Sequence, residues 1–536
     1  MNGRALLEGK DRTGRVGRGA PVAQLLWIGL PGVDVDAESA RLLEVGVGGV
    51  VLFSQNITGA GQVRELTDEL RRRAPGPLRI AIDHEGGHIV RIGAPLTRFP
   101  GAMALGAIGS ESLVGQVAQA MARELAALGI DVNLAPVVDV AADPRNPSVG
   151  TRAFGSSVEL VSRLGGAFVR GLTAGGVGAA AKHFPGHGRT PVDSHVDLPV
   201  LEGGLEALRL TDLPPFAAAI EAGVDVVMAS HLVVDGLTRG LPASLSGDAI
   251  TGLLRAELGF DGVVATDALR MGAVAAQHGL PAACLMAVTA GADVVMPLDD
   301  QPAALEALVR AAQETSFATR VADAARRLAR LDDDLTRRRV AAAGLPSLPI
   351  AEHAALADEV ARRSLTLCSD GHLLPIAAGT SVAVIEFPSR RSSPVEEPVP
   401  GTGPGRPVSL ASALRRHIRQ TREVLVVADG GGSTREAALD AARAADLVVC
   451  ATRDAYLWAS DRDLVRDLAA LGRPVVLVAL RNPYDVAVLD GPAERIAAYA
   501  DVPATLEAVA AALTGLADWP GRLPMDLADA SPESRP

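Results

Sequence analysis

Eight short apolar runs, each closed by a polar or glycine-rich turn, limit what the first part of this chain can fold into. They span 22–30, 47–53, 78–82, 132–138, 178–181, 224–229, 262–265 and 292–296. Amphipathic stretches with helical spacing separate them, for example at 61–73, 112–128, 160–174, 205–222 and 302–330. Short apolar runs suit strands buried on both faces, and helical crossovers between them require a parallel sheet. Eight such units predict a (β/α)8 TIM-type barrel within residues 1–340.

A second alternation follows a break. The charged stretch Asp332–Asp334 and Arg337–Arg339 leads into Gly344-Leu345-Pro346-Ser347-Leu348-Pro349, which reads as a linker over 341–350. Runs at 382–387, 424–428, 447–451, 475–480 and 495–499 predict five parallel strands. They belong to a smaller three-layer α/β sandwich domain over 351–524. The Pro-, Ser- and Gly-rich stretch 388–407 is expected to be a long loop, and 525–536 a disordered tail.

Composition removes several classes of function. The net charge is −12 with no long basic run to offset it, which argues against a nucleic-acid partner. No apolar span is long enough for a membrane, and 22–30 runs into Pro31-Gly32 without a cleavage pattern, so a cytoplasmic protein is expected. Cys284, Cys368 and Cys450 are far apart, form no CxxC, and read as buried free thiols.

In a barrel, reactive groups sit at the C-terminal strand ends and in the loops after them. Here those ends carry Ser54-Gln55-Asn56, Asp83-His84-Glu85-Gly86-Gly87, Asp139, Lys182-His183, Ser230-His231 and Thr266-Asp267. Such convergence points to a pocket. The richest segment, 181–200, holds three His, two Asp, a Lys and an Arg, and its Pro and Gly residues forbid a regular helix. In an extended loop Asp193 and His195 point the same way, so the carboxylate can fix the tautomer of the imidazole and raise its basicity. That pair could give and take a proton. An Asp capping a turn beside an exposed His is the plainer reading of the same tripeptide, and a zinc site from His183, His187, His195 and His231 is a further alternative. Asp267 taken alone reads as structural.

These motifs together resemble glycoside hydrolase family 3, and within it the bacterial β-N-acetylglucosaminidases that recycle cell-wall sugars. The resemblance is carried by KHFPGHG at Lys182–Gly188 followed by DSH at Asp193–His195, by IDHEGG at 82–87, RAFG at 152–155 and GVVATDALRM at 262–271. It covers roughly residues 20–340, and more weakly the remainder, through Arg481-Asn482-Pro483-Tyr484-Asp485. It implies that Asp267 is a nucleophile forming a glycosyl-enzyme, and that His195, paired with Asp193, is the acid/base. Asp83, Arg91, Arg152, Lys182 and His183 match positions that bind the sugar. His88 stands where Arg is frequent in the family.

The expected activity is therefore retaining exo-hydrolysis of terminal β-linked N-acetylglucosamine from small glycans or muropeptides, with no metal and no cofactor. Aromatic residues make up 3% of the chain, and before residue 340 there is one Trp, Trp27, and no Tyr, so a compact pocket fits better than a long groove. A β-glucosidase, or a phosphorylase using inorganic phosphate as acceptor, remains an alternative within the family. A sugar-binding protein without turnover is the alternative outside it. Surface turns are the expected setting for 481–485.

Overall fold

Eight parallel strands form the first sheet: β1 (Trp27–Gly29), β2 (Gly49–Leu52), β3 (Arg79–Ile82), β4 (Val132–Asn133), β5 (Gly178–Phe184), β6 (Val226–Ala229), β7 (Val263–Ala268) and β8 (Val294–Met296). They pair in sequential order, and a parallel bridge from Leu26 to Val295 brings β8 back to β1. The result is the predicted TIM-type barrel. The computed structural model describes residues 21–194, 197–341, 348–391, 393–397, 408–427 and 431–527, so His195 lies outside the described residues.

Every strand but one is buried along its whole length. The exception is β7, which is closed through Thr266 and opens at its last two residues, Asp267 and Ala268. Helices cover the outside, and local chemistry starts several of them. Asp36, Ser110 and Ser157 each accept backbone N–H groups from the first turn that follows.

β4 is shorter than its apolar run suggests. It ends at Asn133 rather than 138. Pro136 has no N–H to give a ladder, and Val137 rejoins only as a single bridge to Lys182.

The floor of the barrel is held by a repeated device that composition does not reveal. Asp131, Asp225 and Asp293 stand just before β4, β6 and β8, and each accepts a backbone N–H from the preceding strand, at Ile80, Ala179 and Val264. Arginines of the long helix Thr315–Ala341 then neutralise them. Arg339 meets Asp131, Arg338 meets Asp225, and Arg320 meets Asp293. A buried carboxylate needs such a partner, and here one helix supplies three.

The second sheet has six strands: β9 (Thr366–Leu367), β10 (Val382–Glu386), β11 (Thr421–Leu425), β12 (Leu447–Thr452), β13 (Val475–Ala479) and β14 (Glu494–Ala497). The order is β9-β14-β13-β12-β10-β11, with helices on both faces. Five strands are parallel as predicted. β9 is an added antiparallel edge, two residues long and too short to announce itself. β11 is shifted to 421–425.

Past residue 524 the chain is still packed. Met525 is buried, and the Asp526 N–H reaches Ser156 Oγ. The expectation of a disordered tail from 525 is thus corrected at Met525 and Asp526, and 528–536 lie outside the described residues. No helix among the described residues is long and apolar enough to cross a membrane.

Candidate active site

A cavity of about 290 Å³ opens at the C-terminal end of the barrel strands. Asp83, Arg91, Arg152, Lys182, His183 and Asp267 all line it. They come from the residues just after β3, the segment after β4, β5 and β7, so the barrel topology brings together six residues spread over 185 positions of the chain. Apolar walls come from Val51, Leu134, Met228, Met296 and Leu298. Among the described residues Phe53 supplies the one phenyl ring, and the Arg270 guanidinium sits 5.4 Å from its centre.

Lys182 and His183 are neighbours in sequence yet line the same cavity. A register shift of β5 against β6 between Ala181 and Phe184 breaks the strict alternation of the strand there. The rest of the motif is fixed by close packing. A Cβ on Gly188 would lie 1.8 Å from the Val140 carbonyl oxygen.

The polar floor of the cavity is one connected network. Lys182 Nζ is 2.6 Å from Asp83 Oδ1 and 2.7 Å from Glu85 Oε1. Arg152 grips Glu85 with two bonds of 2.8 Å. Burial opposes ionisation of Glu85, but the charges of Arg152 and Lys182 outweigh it and hold the carboxyl well below its usual range. His183 Nδ1 lies 2.7 Å from Asp139 Oδ2, and its Nε2 is 3.3 Å from Arg152 Nη2. With Nδ1–H donating to Asp139, Nε2 can accept from Arg152. Asp139 is buried, which opposes its charge, yet His183 holds its carboxyl below the ordinary value. Asp267 Oδ1 accepts the Ala268 N–H at 2.7 Å.

Asp193 is buried and accepts a 2.6 Å bond from Ser393 Oγ. Its neighbour Ser194 places Oγ 3.2 Å from His187 Nε2, which ties this loop to the β5 motif. His187 is pushed down to about 4 by burial and by His183. The zinc arrangement finds no support in His231, whose ring nitrogens lie 2.7 Å from Ser244 Oγ and 3.0 Å from the Ala268 carbonyl.

Sequence reasoning missed part of the cavity wall. Pro394, Val395 and Glu397 line it, and they come from the stretch expected to be only a loop of the second domain. Glu397 accepts the Ser54 N–H at 2.8 Å and stands 3.6 Å from Arg91 Nε. Arg91 also donates to the Val395 carbonyl at 3.2 Å. Between them, Glu396 turns away and forms a bidentate pair with Arg481, at 2.8 and 3.1 Å. Arg481 also meets Asp454 at 3.2 Å. The expectation of surface turns at 481–485 is therefore corrected. Arg481, Asn482 and Asp485 are 3%, 6% and 0% exposed, because this segment anchors the strap 393–397 over the barrel. Gly150 permits the same junction, since a Cβ there would come within 2.7 Å of Asn482 Oδ1. His88 faces this junction too, and burial with the nearby Arg481 pushes it down to about 3. Glu85 and Asp139 were visible at strand ends, but nothing in their spacing gave their partners.

Comparisons with known proteins agree with this geometry. Residues 21–331 match the model of the glycosyl hydrolase family 3 N terminal domain. A beta-hexosaminidase of Stenotrophomonas maltophilia (strain R551-3) is 38% identical over 279 residues, 51% of this chain and 82% of that protein. A beta-hexosaminidase of Neisseria meningitidis serogroup C (strain 053442) is 37% identical over 269 residues, 49% of this chain and 74% of that one. The family 3 beta-N-acetylglucosaminidase from Paenibacillus sp. str. FPU-7 superposes with a TM-score of 0.89 at 33% identity, covering 96% of this chain and 99% of its own. A beta-glucosidase from Listeria innocua shares the fold at 21% identity, with a TM-score of 0.76 over 98% of this chain and 76% of its own. The protein thus belongs to glycosyl hydrolase family 3 and is a glycoside hydrolase.

Proposed function

We propose that the protein is an exo-acting β-N-acetylglucosaminidase that works with retention of configuration. The observation that carries this is the placement of Asp267. It emerges at the open end of β7, inside a cavity that also holds Asp83, Arg91, Arg152, Lys182 and His183. A retaining enzyme needs a carboxylate that can reach the anomeric carbon from one face of the sugar. In this reading Asp267 attacks that carbon and forms the glycosyl-enzyme. His195, oriented by Asp193, protonates the leaving oxygen and then activates water.

The cavity volume suits one sugar unit, in keeping with exo action. Asp83 can accept from two hydroxyls while Lys182 and Arg91 hold it in place. The N-acetyl preference is supported by the names of the relatives, beta-hexosaminidases in Stenotrophomonas and Neisseria and a beta-N-acetylglucosaminidase in Paenibacillus. Small chitobiose-like or muropeptide fragments are the substrate class.

The test is trapping with a fluorinated N-acetylglucosamine donor, followed by intact mass and peptide mapping. One sugar covalently attached at Asp267 is expected. A label on another residue, or none despite inactivation, would remove the nucleophile assignment. The same protein assayed with and without inorganic phosphate separates hydrolysis, the expected outcome, from release of a sugar phosphate.

A further inference from the structure

We propose that Ser393, on the second domain, is a positioning residue for the acid/base pair carried by the barrel loop. The inference rests on the Asp193–His195 reading given above. It deepens that reading by naming what holds Asp193.

Ser393 Oγ lies 2.6 Å from Asp193 Oδ2, and both residues are buried, at 3% and 6% exposure. The distance is that of a hydroxyl donating to an ionised carboxylate. A second contact on the hydroxyl is compatible with that direction. The Val395 N–H donates to the same Oγ at 3.4 Å, which occupies an acceptor position and leaves the hydrogen for Asp193.

Ser393 sits on a strap whose anchors lie within four residues. The Val395 carbonyl accepts from Arg91, Glu396 is gripped by Arg481, and Glu397 accepts the Ser54 N–H. Two of these anchors belong to the barrel and one to the second domain. The hydroxyl is therefore presented from a fixed frame, which is what a supporting contact needs in order to orient a reacting group.

The consequence for Asp193 is geometric. A carboxylate bonded through one oxygen to a fixed donor no longer rotates freely about its Cβ–Cγ bond. Its other oxygen then keeps one direction, which is what a carboxylate that is to fix an imidazole tautomer needs. Without Ser393 the carboxylate would sample orientations that a tautomer-fixing partner cannot use. Proton donation to the leaving oxygen would suffer, while sugar binding in the cavity would not.

That difference can be read from leaving groups. General acid catalysis matters most when the departing oxygen is basic, and little when it leaves as dinitrophenolate. The value of kcat/KM reports the first irreversible step, here cleavage of the glycosidic bond. The experiment compares wild type, Ser393→Ala, Ser393→Thr and Asp193→Asn on dinitrophenyl and nitrophenyl N-acetyl-β-glucosaminides and on chitobiose. Ser393→Ala is expected to lose about tenfold in kcat/KM on chitobiose and less than about twofold on the dinitrophenyl substrate. Ser393→Thr, which keeps the hydroxyl, should recover most of the loss. Asp193→Asn should show the same slope more steeply. Equal losses by Ser393→Ala on all substrates, or none on any while Asp193→Asn retains its slope, would overturn the role of Ser393 and leave the acid/base reading standing. A flat response of Asp193→Asn would overturn both.

Discussion

The barrel and the second domain both build the cavity, but by different routes. The barrel supplies its groups by topology. Parallel strands deliver Asp83, Lys182, His183 and Asp267 to one face wherever they stand in sequence. The second domain supplies Pro394, Val395 and Glu397 from an irregular segment that is tied back to its own domain by Glu396 and Arg481, 85 residues away, and to the barrel through Arg91 and Ser54. The first route survives changes in surrounding loops. The second depends on pairings between distant segments, one of them a buried ion pair, and removing one partner of such a pair leaves the other charged and buried.

The largest expected effect tests the barrel side. Asp267→Ala should lower kcat on nitrophenyl N-acetyl-β-glucosaminide by about ten-thousandfold or more, with an unchanged melting temperature. Activity within about tenfold of wild type would mean that the strand ends do not carry the reactive group.

Next comes the anchor of the strap. Arg481→Met removes the bidentate partner of Glu396 and should reduce kcat/KM by about ten- to a hundredfold, although residue 481 does not line the cavity. If catalysis is unaffected, the second domain only covers the barrel and the contrast drawn above collapses.

A smaller change is expected at the cavity wall. Glu397→Gln keeps the shape and removes the charge near Arg91, so KM should rise by about three- to tenfold with kcat nearly constant. A fall in kcat with unaltered KM would place Glu397 in the chemistry instead.

The smallest effect separates the regions by pH. Burial, together with Arg91 and Arg98, pushes His84 down to about 3, while burial and Arg481 do the same for His88; His187 sits at about 4. Each stays neutral in the fold, while the unfolded chain takes up a proton below about 6.5. Their contribution is complete above that value and is lost as pH falls toward 4. Asp485, in the second domain, runs the other way. Burial and then Asp454 raise it to about 7, so its contribution is present at low pH and is lost as pH rises through neutrality. Melting curves should show a midpoint lower by about 5 °C or more at pH 4.5 than at pH 7. A flat profile would mean that the buried histidines do not dominate.

Much of this molecule could be read from its sequence, for identifiable reasons. Buried parallel strands advertise themselves as apolar runs, and Asp83, Lys182, His183 and Asp267 were legible because each stands at the end of one. Arg91 and Arg152 came from resemblance alone, since neither follows a strand directly. What failed to show was pairing between distant segments. Nothing in the spacing of Glu396 and Arg481, or of Ser393 and Asp193, says that they meet. The edge strand β9 was missed because a two-residue strand carries too little periodicity, and the early end of β4 because apolar residues continue on both sides of Pro136 after the ladder has stopped.

The helix Thr315–Ala341 ends the barrel at a fixed point before the second domain begins. Arg338 and Arg339, near its last turn, are bolted to carboxylates under the barrel, at the end remote from the cavity. The strap 393–397 grips the opposite rim. The second domain itself is fastened to the barrel a second time, where His353 Nδ1 lies 2.8 Å from Glu124 Oε1, so a variant that frees the strap alone leaves the two domains joined.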